Sequence, residues 1–174
     1  MQRILQRSDF HGPVQDIARG LLGMYLVRKV DGVTTKYRIV EVEAYDGEQD
    51  LACHASKGRT KRTEVMYGPA GNWYVYLVYG MHWMLNIVTG DEGYPAAVLI
   101  RGVEDISGPG RVTKKLSIDG ALNGLPADGQ TGLWIEDAGV RIKDEDITAT
   151  PRIGVEYAKE WARKPWRFVL GAVY

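Results

Sequence analysis

Residues 38–45 read Arg-Ile-Val-Glu-Val-Glu-Ala-Tyr, an apolar/polar alternation that predicts a half-buried β-strand. Because successive side chains of a strand point to opposite faces, this stretch has two faces. One face carries Val40, Val42 and Ala44, which we expect in the core, and the other carries Ile39, Glu41, Glu43 and Tyr45. A carboxylate two residues from an aromatic ring on a rigid strand indicates a candidate site. In such a site the carboxylate acts as a general base beside an aromatic ring on which a ligand can stack. Taken alone, the segment fits an ordinary solvent-facing strand better.

Outside this segment, short strands and tight turns dominate the chain. The predicted elements are a helix over 13–22, strands over 24–30 and 34–45 around an Asp31-Gly32 turn, a hairpin over 72–88 broken at Gly80, a strand over 96–103, a helix over 108–116, and late strands over 133–135, 140–142 and 166–170. Residues 46–71 lack apolar periodicity, which predicts a long functional loop with a helical turn. We therefore expect one compact α+β domain over residues 1–174, with a curved, largely antiparallel β-sheet, short surrounding helices and a protruding β-hairpin.

The composition limits the classes of function that the chain can have. The chain has 174 residues, and its 22 basic and 22 acidic side chains give a net charge of zero. Nucleic-acid-binding domains are often strongly basic, but the distribution of charge matters more than its sum. Basic residues gather at 57–62, 111–115 and 163–167, either as one phosphate-contacting face or as solvated patches. The single cysteine excludes an intramolecular disulfide and fits a reducing, intracellular compartment. No apolar stretch approaches the roughly 20 residues of a membrane span, and no secretory signal is visible.

The predicted second hairpin is rich in aromatic residues. Trp73 and Tyr74 fit an ordinary core, whereas Tyr79 stands beside Gly80 at the expected tip, where few neighbours are available for packing. An exposed aromatic side chain at such a tip suits insertion into a base stack. His54 lies beside Cys53, but no second Cys/His pair occurs at ligand spacing, so a pocket wall or hydrogen-bond partner is a better interpretation of His54 than a zinc ligand. The sequence has neither a phosphate-binding glycine loop nor a serine nucleophile elbow.

Taken together, the motifs resemble the alkyladenine (3-methyladenine) DNA glycosylase family of the mammalian type, which also has bacterial members. The matching runs, in family order over nearly the whole chain, are Val42-Glu43-Ala44-Tyr45, Ala52-Cys53-His54, Gly58-Arg59-Thr60, Met66 with Gly68, Tyr74-Val75-Tyr76-Leu77-Val78-Tyr79-Gly80-Met81, Leu85-Asn86-Ile87, Val98-Leu99-Ile100-Arg101, Gly108-Pro109-Gly110 and Trp161-Ala162-Arg163-Lys164-Pro165-Trp166-Arg167-Phe168. The resemblance implies a monofunctional enzyme that flips alkylated or deaminated purines out of double-stranded DNA and hydrolyses the N-glycosidic bond.

The resemblance also implies residue roles. Glu43 matches the general base that activates water, while Arg101 and the backbone carbonyl of Ile153 match groups that hold this water. The implied base-binding residues are Tyr45, His54 and Tyr76 as sandwiching walls, Asn86 as the group that clashes with the amino group of guanine, and Leu99 as an apolar neighbour. Tyr79 matches the wedge, which is the residue that fills the space left in the base stack by the flipped base. The other residues expected to contact DNA are Gly80, Met81, His82, Gly110, Arg111 and Lys114.

Several further expectations follow from the resemblance. No lysine occupies a matched catalytic position, so we expect no Schiff base and no strand-cutting lyase activity. The resemblance implies neither a metal nor an organic cofactor. We expect a DNA-associated monomer, in the cytoplasm or nucleoid if the source is bacterial, with no membrane partner. Only residues 102–107 separate the Arg101 strand from Gly108, where many relatives have a longer insertion. The alternatives are a non-catalytic nucleic-acid-binding module on the same scaffold and, less well supported, a carbohydrate hydrolase using Glu41 and Glu43.

Overall fold

The computed structural model describes residues 2–171, in which β-strands outnumber helices. The strands are β1 (Arg3–Ile4), β2 (Tyr25–Val30), β3 (Val33–Asp46), β4 (Trp73–Val78), β5 (His82–Val88), β6 (Ala96–Val103), β7 (Ile106–Ser107), β8 (Leu133–Asp137), β9 (Ile147–Thr150) and β10 (Arg167–Leu170). The α-helices are α1 (Val14–Leu21) and α2 (Pro109–Lys115), and short 3₁₀ segments cover Arg7–Phe10, His54–Lys57, Glu64–Tyr67, Gly120–Leu122, Asp144–Asp146 and Glu156–Arg163. The predicted α+β class is confirmed.

One antiparallel sheet organises the molecule, in the order β1-β8-β2-β3-β6-β5-β4, with β10 beside β3 and β9 beside β10. The long strand β3 changes partners along its length: residues 33–38 pair with β2, whereas residues 39–46 pair with β6 and residues 41–43 also pair with β10. Both α1 and α2 contribute buried side chains to the main hydrophobic core on this sheet. The half of β3 that carries the two glutamates is therefore covered on both edges.

A β-bulge in β3 corrects the predicted faces. The pairing with β6 shifts register between Ile39 and Glu41 and again between Glu41 and Val42. A bulge breaks the strict two-residue alternation of a strand. Ile39, which the sequence pattern assigns to the face of Glu41 and Glu43, is instead fully buried in the main core with Val42. The glutamates are not solvent-facing either, since Glu41 and Glu43 are both buried.

The predicted hairpin of aromatic residues is formed by β4 and β5, which pair from Trp73 opposite Ile87 to Val78 opposite His82. Tyr79 and Gly80 are the two central residues of the turn and have φ values of 52° and 67°. Two positive φ values are typical of a type I′ turn, whose twist matches that of the strands. The side chain of Tyr79 is 89% exposed, whereas Trp73 and Tyr74 are buried, as predicted.

In the last third of the chain, one predicted strand is not formed and one observed strand was not predicted. Residues 140–142 form no strand, and Val140 is partly exposed. The free edge of β10 pairs instead with β9, whose sequence Ile-Thr-Ala-Thr is rich in β-branched residues.

The short segment after Arg101 is a tight β6–β7 hairpin, with Gly102 opposite Ser107. Within the described part of the chain, every helix is too short or too polar to span a bilayer.

Candidate active site

A cavity of about 520 Å³ opens between strands β3 and β6 and the hairpin of β4 and β5. Its volume is typical of small-molecule sites. Of the residues predicted from the sequence, eight line it: Tyr45, His54, Tyr76, Tyr79, Asn86, Leu99, Arg101 and Ile153. These residues come from four strands, the hairpin tip, one 3₁₀ segment and one loop, so the fold brings together positions up to 108 residues apart (153 minus 45). The lining is largely aromatic and apolar, with few polar groups.

Glu43 lies directly behind the wall of this cavity. Its side chain is fully buried and is not itself part of the lining. The hydroxyl of Tyr45 donates to Oε2 at 2.7 Å, the backbone N–H of Ile153 donates to Oε1 at 2.8 Å, and Nε of Arg101 lies 3.5 Å from Oε1. All three partners line the cavity. A carboxylate offers about four lone-pair sites, so Oε2 retains an acceptor position. The carbonyl of Ile153 remains a predicted water contact.

Glu41, the second glutamate of the strand, is held by two guanidinium groups. Nε of Arg101 lies 3.1 Å from its Oε1, and Nε of Arg167 lies 2.7 Å from the same oxygen. Arg101 therefore bridges Glu41 and Glu43. Because Glu41 is engaged by two guanidinium groups and lies on the same strand as Glu43, the arrangement argues against a carbohydrate hydrolase in which two carboxylates flank one glycosidic bond.

The aromatic walls of the cavity are held in place by residues that do not line it. The guanidinium carbon of the buried Arg152 lies 4.7 Å from the centre of the Tyr45 ring. On the other side, His54 and Tyr76 have ring centres 4.5 Å apart, and Nδ1 of His54 lies 3.1 Å from the hydroxyl of Tyr74. Burial, and then the charges of Arg62 and Lys57, lower the pKa of His54 from 6.5 to about 4. His54 is therefore neutral at physiological pH.

The floor of the cavity is formed by residues paired across strands. Asn86 lies opposite Tyr74 in β4 and opposite Leu99 in β6. Nδ2 of the buried Asn86 donates to the carbonyl of Tyr74 at 3.1 Å, which fixes the orientation of the amide. Cys53 also lines the cavity, but burial raises the pKa of its thiol to about 12. The protonated thiol is a poor nucleophile.

Of the predicted DNA-contacting residues, Tyr79 lines the cavity and the others lie on the hairpin tip and on α2. Tyr79 and Met81 are 89% and 71% exposed at the hairpin tip, and His82 and Gly80 are exposed beside them. The start of α2 packs against this hairpin: a Cβ built on Gly110 would lie 3.1 Å from atoms of His82. Pro109 lines the cavity, whereas Arg111 and Lys114 lie outside it on the exposed surface of α2. The geometry thus places α2 next to the cavity mouth.

Comparison with known proteins decides the family. The family profile described as "Methylpurine-DNA glycosylase (MPG)" matches residues 8–107 and 104–172, which is nearly the whole chain. The chain belongs to the methylpurine-DNA glycosylase family. The resemblance inferred from the sequence motifs is therefore confirmed, and with it the membership of a family of DNA repair glycosylases.

Methylpurine-DNA glycosylase relatives from bacteria and archaea match over most of their length. A protein of Legionella pneumophila strain Lens is 50% identical over 97% of this chain and 94% of its own length. Proteins of Methanocella arvoryzae and of Myxococcus xanthus strain DK1622 are each 46% identical, over 95% and 94% of this chain and over 91% and 88% of their own lengths. The names of all three provisionally describe them as 3-methyladenine DNA glycosylases.

This methylpurine-DNA glycosylase family member has site residues that sequence reasoning missed. Arg62 and Tyr157 line the cavity, and the guanidinium carbon of Arg62 lies 5.2 Å from the centre of the Tyr76 ring. The fully buried pair of Asp50 and Arg152 supports Tyr45 from behind. One signal for Arg62 was available, since it follows the Gly58-Arg59-Thr60 run within a basic cluster. The partner of Arg152 lies 102 residues away and leaves no sequence signal.

Proposed function

We propose that the protein is a monofunctional DNA glycosylase. It acts on double-stranded DNA, flips an alkylated or deaminated purine of the 3-methyladenine, 7-methylguanine, ethenoadenine or hypoxanthine class, and hydrolyses the N-glycosidic bond to begin base excision repair. The observation that carries the proposal is the position of Glu43, a buried carboxylate in contact with three groups that line a largely aromatic and apolar cavity of about 520 Å³. The family match and the names of the relatives support it.

The proposed chemistry follows from the remaining acceptor position on Glu43. A water bound at Oε2 loses a proton to the carboxylate as it attacks the sugar carbon. General-base assistance of this kind is worth roughly 10²–10⁴-fold. As the glycosidic bond lengthens, the sugar acquires oxocarbenium character, which a nearby negative charge stabilises. Arg101 holds the carboxylate in place through its 3.5 Å contact with Oε1.

The proposed recognition step uses stacking and exclusion. The base leaves the duplex at a cost of a few kcal/mol and enters between Tyr45 on one side and the His54–Tyr76 wall on the other. Each base–aromatic stack returns about 1–3 kcal/mol. Asn86, whose amide is fixed by the Tyr74 carbonyl, excludes the amino group of normal guanine. We propose hydrolysis without strand cleavage because the cavity lining carries no lysine among residues 2–171 to form a Schiff base.

The test uses end-labelled duplexes that each carry one lesion: 3-methyladenine, 7-methylguanine, ethenoadenine or hypoxanthine. After incubation, hot alkali converts abasic sites into strand breaks. We expect breaks only after alkali treatment, a loss of at least 10²-fold in excision rate for Glu43→Gln, and wild-type rates for Glu92→Gln, which replaces an exposed glutamate. Intact strands with every lesion, together with retained DNA binding, would instead support a non-catalytic module. Breaks without alkali would contradict the monofunctional chemistry.

A further inference from the structure

A second cavity, of about 570 Å³, lies beside the proposed base pocket and has no role in the chemistry derived above. The two cavities share four wall residues: Cys53, His54, Arg62 and Tyr157. The second cavity is built from the loop that contains residues 51–63 and from residues 157–159 of the last 3₁₀ segment. A group bound in the second cavity would therefore be separated from a base in the first only by a shared wall.

The lining of the second cavity is suited to an anion. It contains three basic side chains, those of Lys57, Arg62 and Lys159, together with hydroxyl groups such as those of Ser56 and Thr60, and none of its lining residues in the described chain is acidic. Within residues 2–171, none of the three basic groups lies within ion-pair distance of a carboxylate. By contrast, Arg101 in the first cavity is bound by Glu41.

The backbone at Lys159 gives a second, independent observation. Lys159 has φ 53° and ψ −129°, at the kink between the two turns of the segment Glu156–Arg163. A positive φ of this kind favours glycine, and non-glycine residues with such backbones concentrate at functional sites. The chain thus places a long cationic side chain, rather than glycine, at the rim of the cavity.

We propose that the second cavity binds a backbone phosphate of the DNA strand whose damaged base occupies the first cavity, with Lys57, Arg62 and Lys159 as its ligands. This inference rests on the proposed function, since it takes the first cavity as the base site. Because the two cavities share a wall, a nucleotide that inserts its base into the first brings a phosphate of the same strand next to the second. Basic side chains and hydroxyls are the usual partners of DNA phosphates. A free phosphate ion has the same chemistry and is distinguished by the test.

The decisive variant is Lys159→Gly, which removes the charge and suits the positive φ. In a Glu43→Gln background, which prevents turnover, binding of a duplex with one ethenoadenine is measured over a series of salt concentrations, alongside unfolding in urea. We expect unchanged or greater stability, several-fold weaker binding and a salt slope of log K that is shallower by about 0.9. Lys159→Arg retains affinity and slope, and Lys29→Gln, an exposed lysine of β2 outside both cavities, serves as the control.

Two other results would overturn the inference. If Lys159→Gly and Lys57→Gln bind the duplex with the wild-type affinity and salt slope, no strand phosphate occupies the cavity. If the two variants bind DNA normally but lose the response of the His54 resonances to added inorganic phosphate, the cavity takes a free anion instead. Excision by the wild-type protein is measured separately on the same duplex, so that a failure of the proposed function is distinguishable from a failure of the phosphate site.

Discussion

At the scale of single residues, the charge state of His54 is set by its surroundings in the fold. The ring is flanked by Tyr76 and bonded to the hydroxyl of Tyr74, and burial is the main cause of its low pKa of about 4. A neutral imidazole has one nitrogen that donates and one that accepts. With Nδ1 engaged by Tyr74, the other nitrogen remains available to a base in the cavity without repelling a cationic alkylated purine.

The low pKa of His54 predicts a pH dependence of stability. Its value is about 4 in the folded protein and near 6.5 when the chain is unfolded, so the unfolded state binds more protons between these values. The free energy of unfolding should therefore decrease as the pH falls from about 6.5 towards 4. Urea denaturation at pH 7 and pH 5 measures the change, which should be smaller in His54→Gln. His11→Gln, at an exposed histidine, is the control. Identical pH curves for His54→Gln and the wild type would contradict this account.

At this scale, the matched sequence motifs pointed to residues that lie close together in the structure, while their roles stay predictions. Eight cavity residues were expected from matched motifs, and the structure brings them to one cavity. The sequence did not reveal what holds Glu43. Its contact with the N–H of Ile153 joins backbone and side chain across 110 residues, and a backbone group can be donated by any residue other than proline.

At the scale of elements, the tip of the β4–β5 hairpin combines exposure with an uncommon backbone. Tyr79 has φ 52°, in the region where glycine and asparagine are favoured, yet it carries a large and almost fully exposed ring. Neither packing nor turn geometry accounts for tyrosine here. This combination supports the interpretation of Tyr79 as a wedge that fills the space left by a flipped base.

The variant Tyr79→Asn tests the wedge because asparagine suits a positive φ. We expect stability to be unchanged or increased, while excision of hypoxanthine from a fully paired duplex falls by roughly tenfold or more, since base–aromatic stacking is worth about 1–3 kcal/mol. Excision from single-stranded DNA, which needs no wedge, should change little. Tyr79→Trp, which keeps a stacking ring, is the matched control. An equal loss on both substrates would assign Tyr79 to the chemical step.

A buried ion pair ties the loop after β3 to the segment after β9. Arg152 and Asp50 are both fully buried, and Arg152 also donates to the carbonyls of Ala44 and Trp161. Arg152→Met would leave Asp50 buried without its counter-charge, which costs about 3–5 kcal/mol. Urea unfolding measures this loss. The double variant Asp50→Leu/Arg152→Met should lose less than the sum of the two single variants, and strictly additive losses would contradict a coupled pair.

Strands were predictable where the apolar pattern of a segment coincides with its pairing to a neighbouring strand. The strand over 96–103 was predicted with its observed bounds, since its apolar run is limited by Pro95 and by the following turn. Residues 140–142 have an apolar pattern but pair with no strand in the described part of the chain, whereas Ile147–Thr150 pair with β10. The bulge in β3 depends on the partner strand and was not visible in the alternation.

At the scale of the whole molecule, the three basic clusters predicted from the sequence are not equivalent. Arg167 of the third cluster is bound to Glu41, 126 residues earlier, and is thereby removed from the DNA-facing candidates. Nζ of Lys164 lies 5.4 Å from the Trp161 ring. By contrast, α2 next to the cavity mouth presents Arg111 and Lys114, three residues apart and therefore on one helical face. A net charge of zero is thus compatible with a local basic surface.

This distribution predicts how DNA binding responds to salt. If Arg111 and Lys114 contact phosphates, the affinity for undamaged duplex should fall steeply between 50 and 200 mM salt, by roughly 0.9 log units per log unit of salt for each contact. Replacing both with glutamine should weaken binding to damaged and undamaged duplexes to the same extent, because phosphate contacts do not read bases. Arg141→Gln, at an exposed position outside both cavities, provides the comparison. An unchanged salt slope in the double variant, or a loss confined to damaged duplex, would show that α2 does not face the DNA backbone.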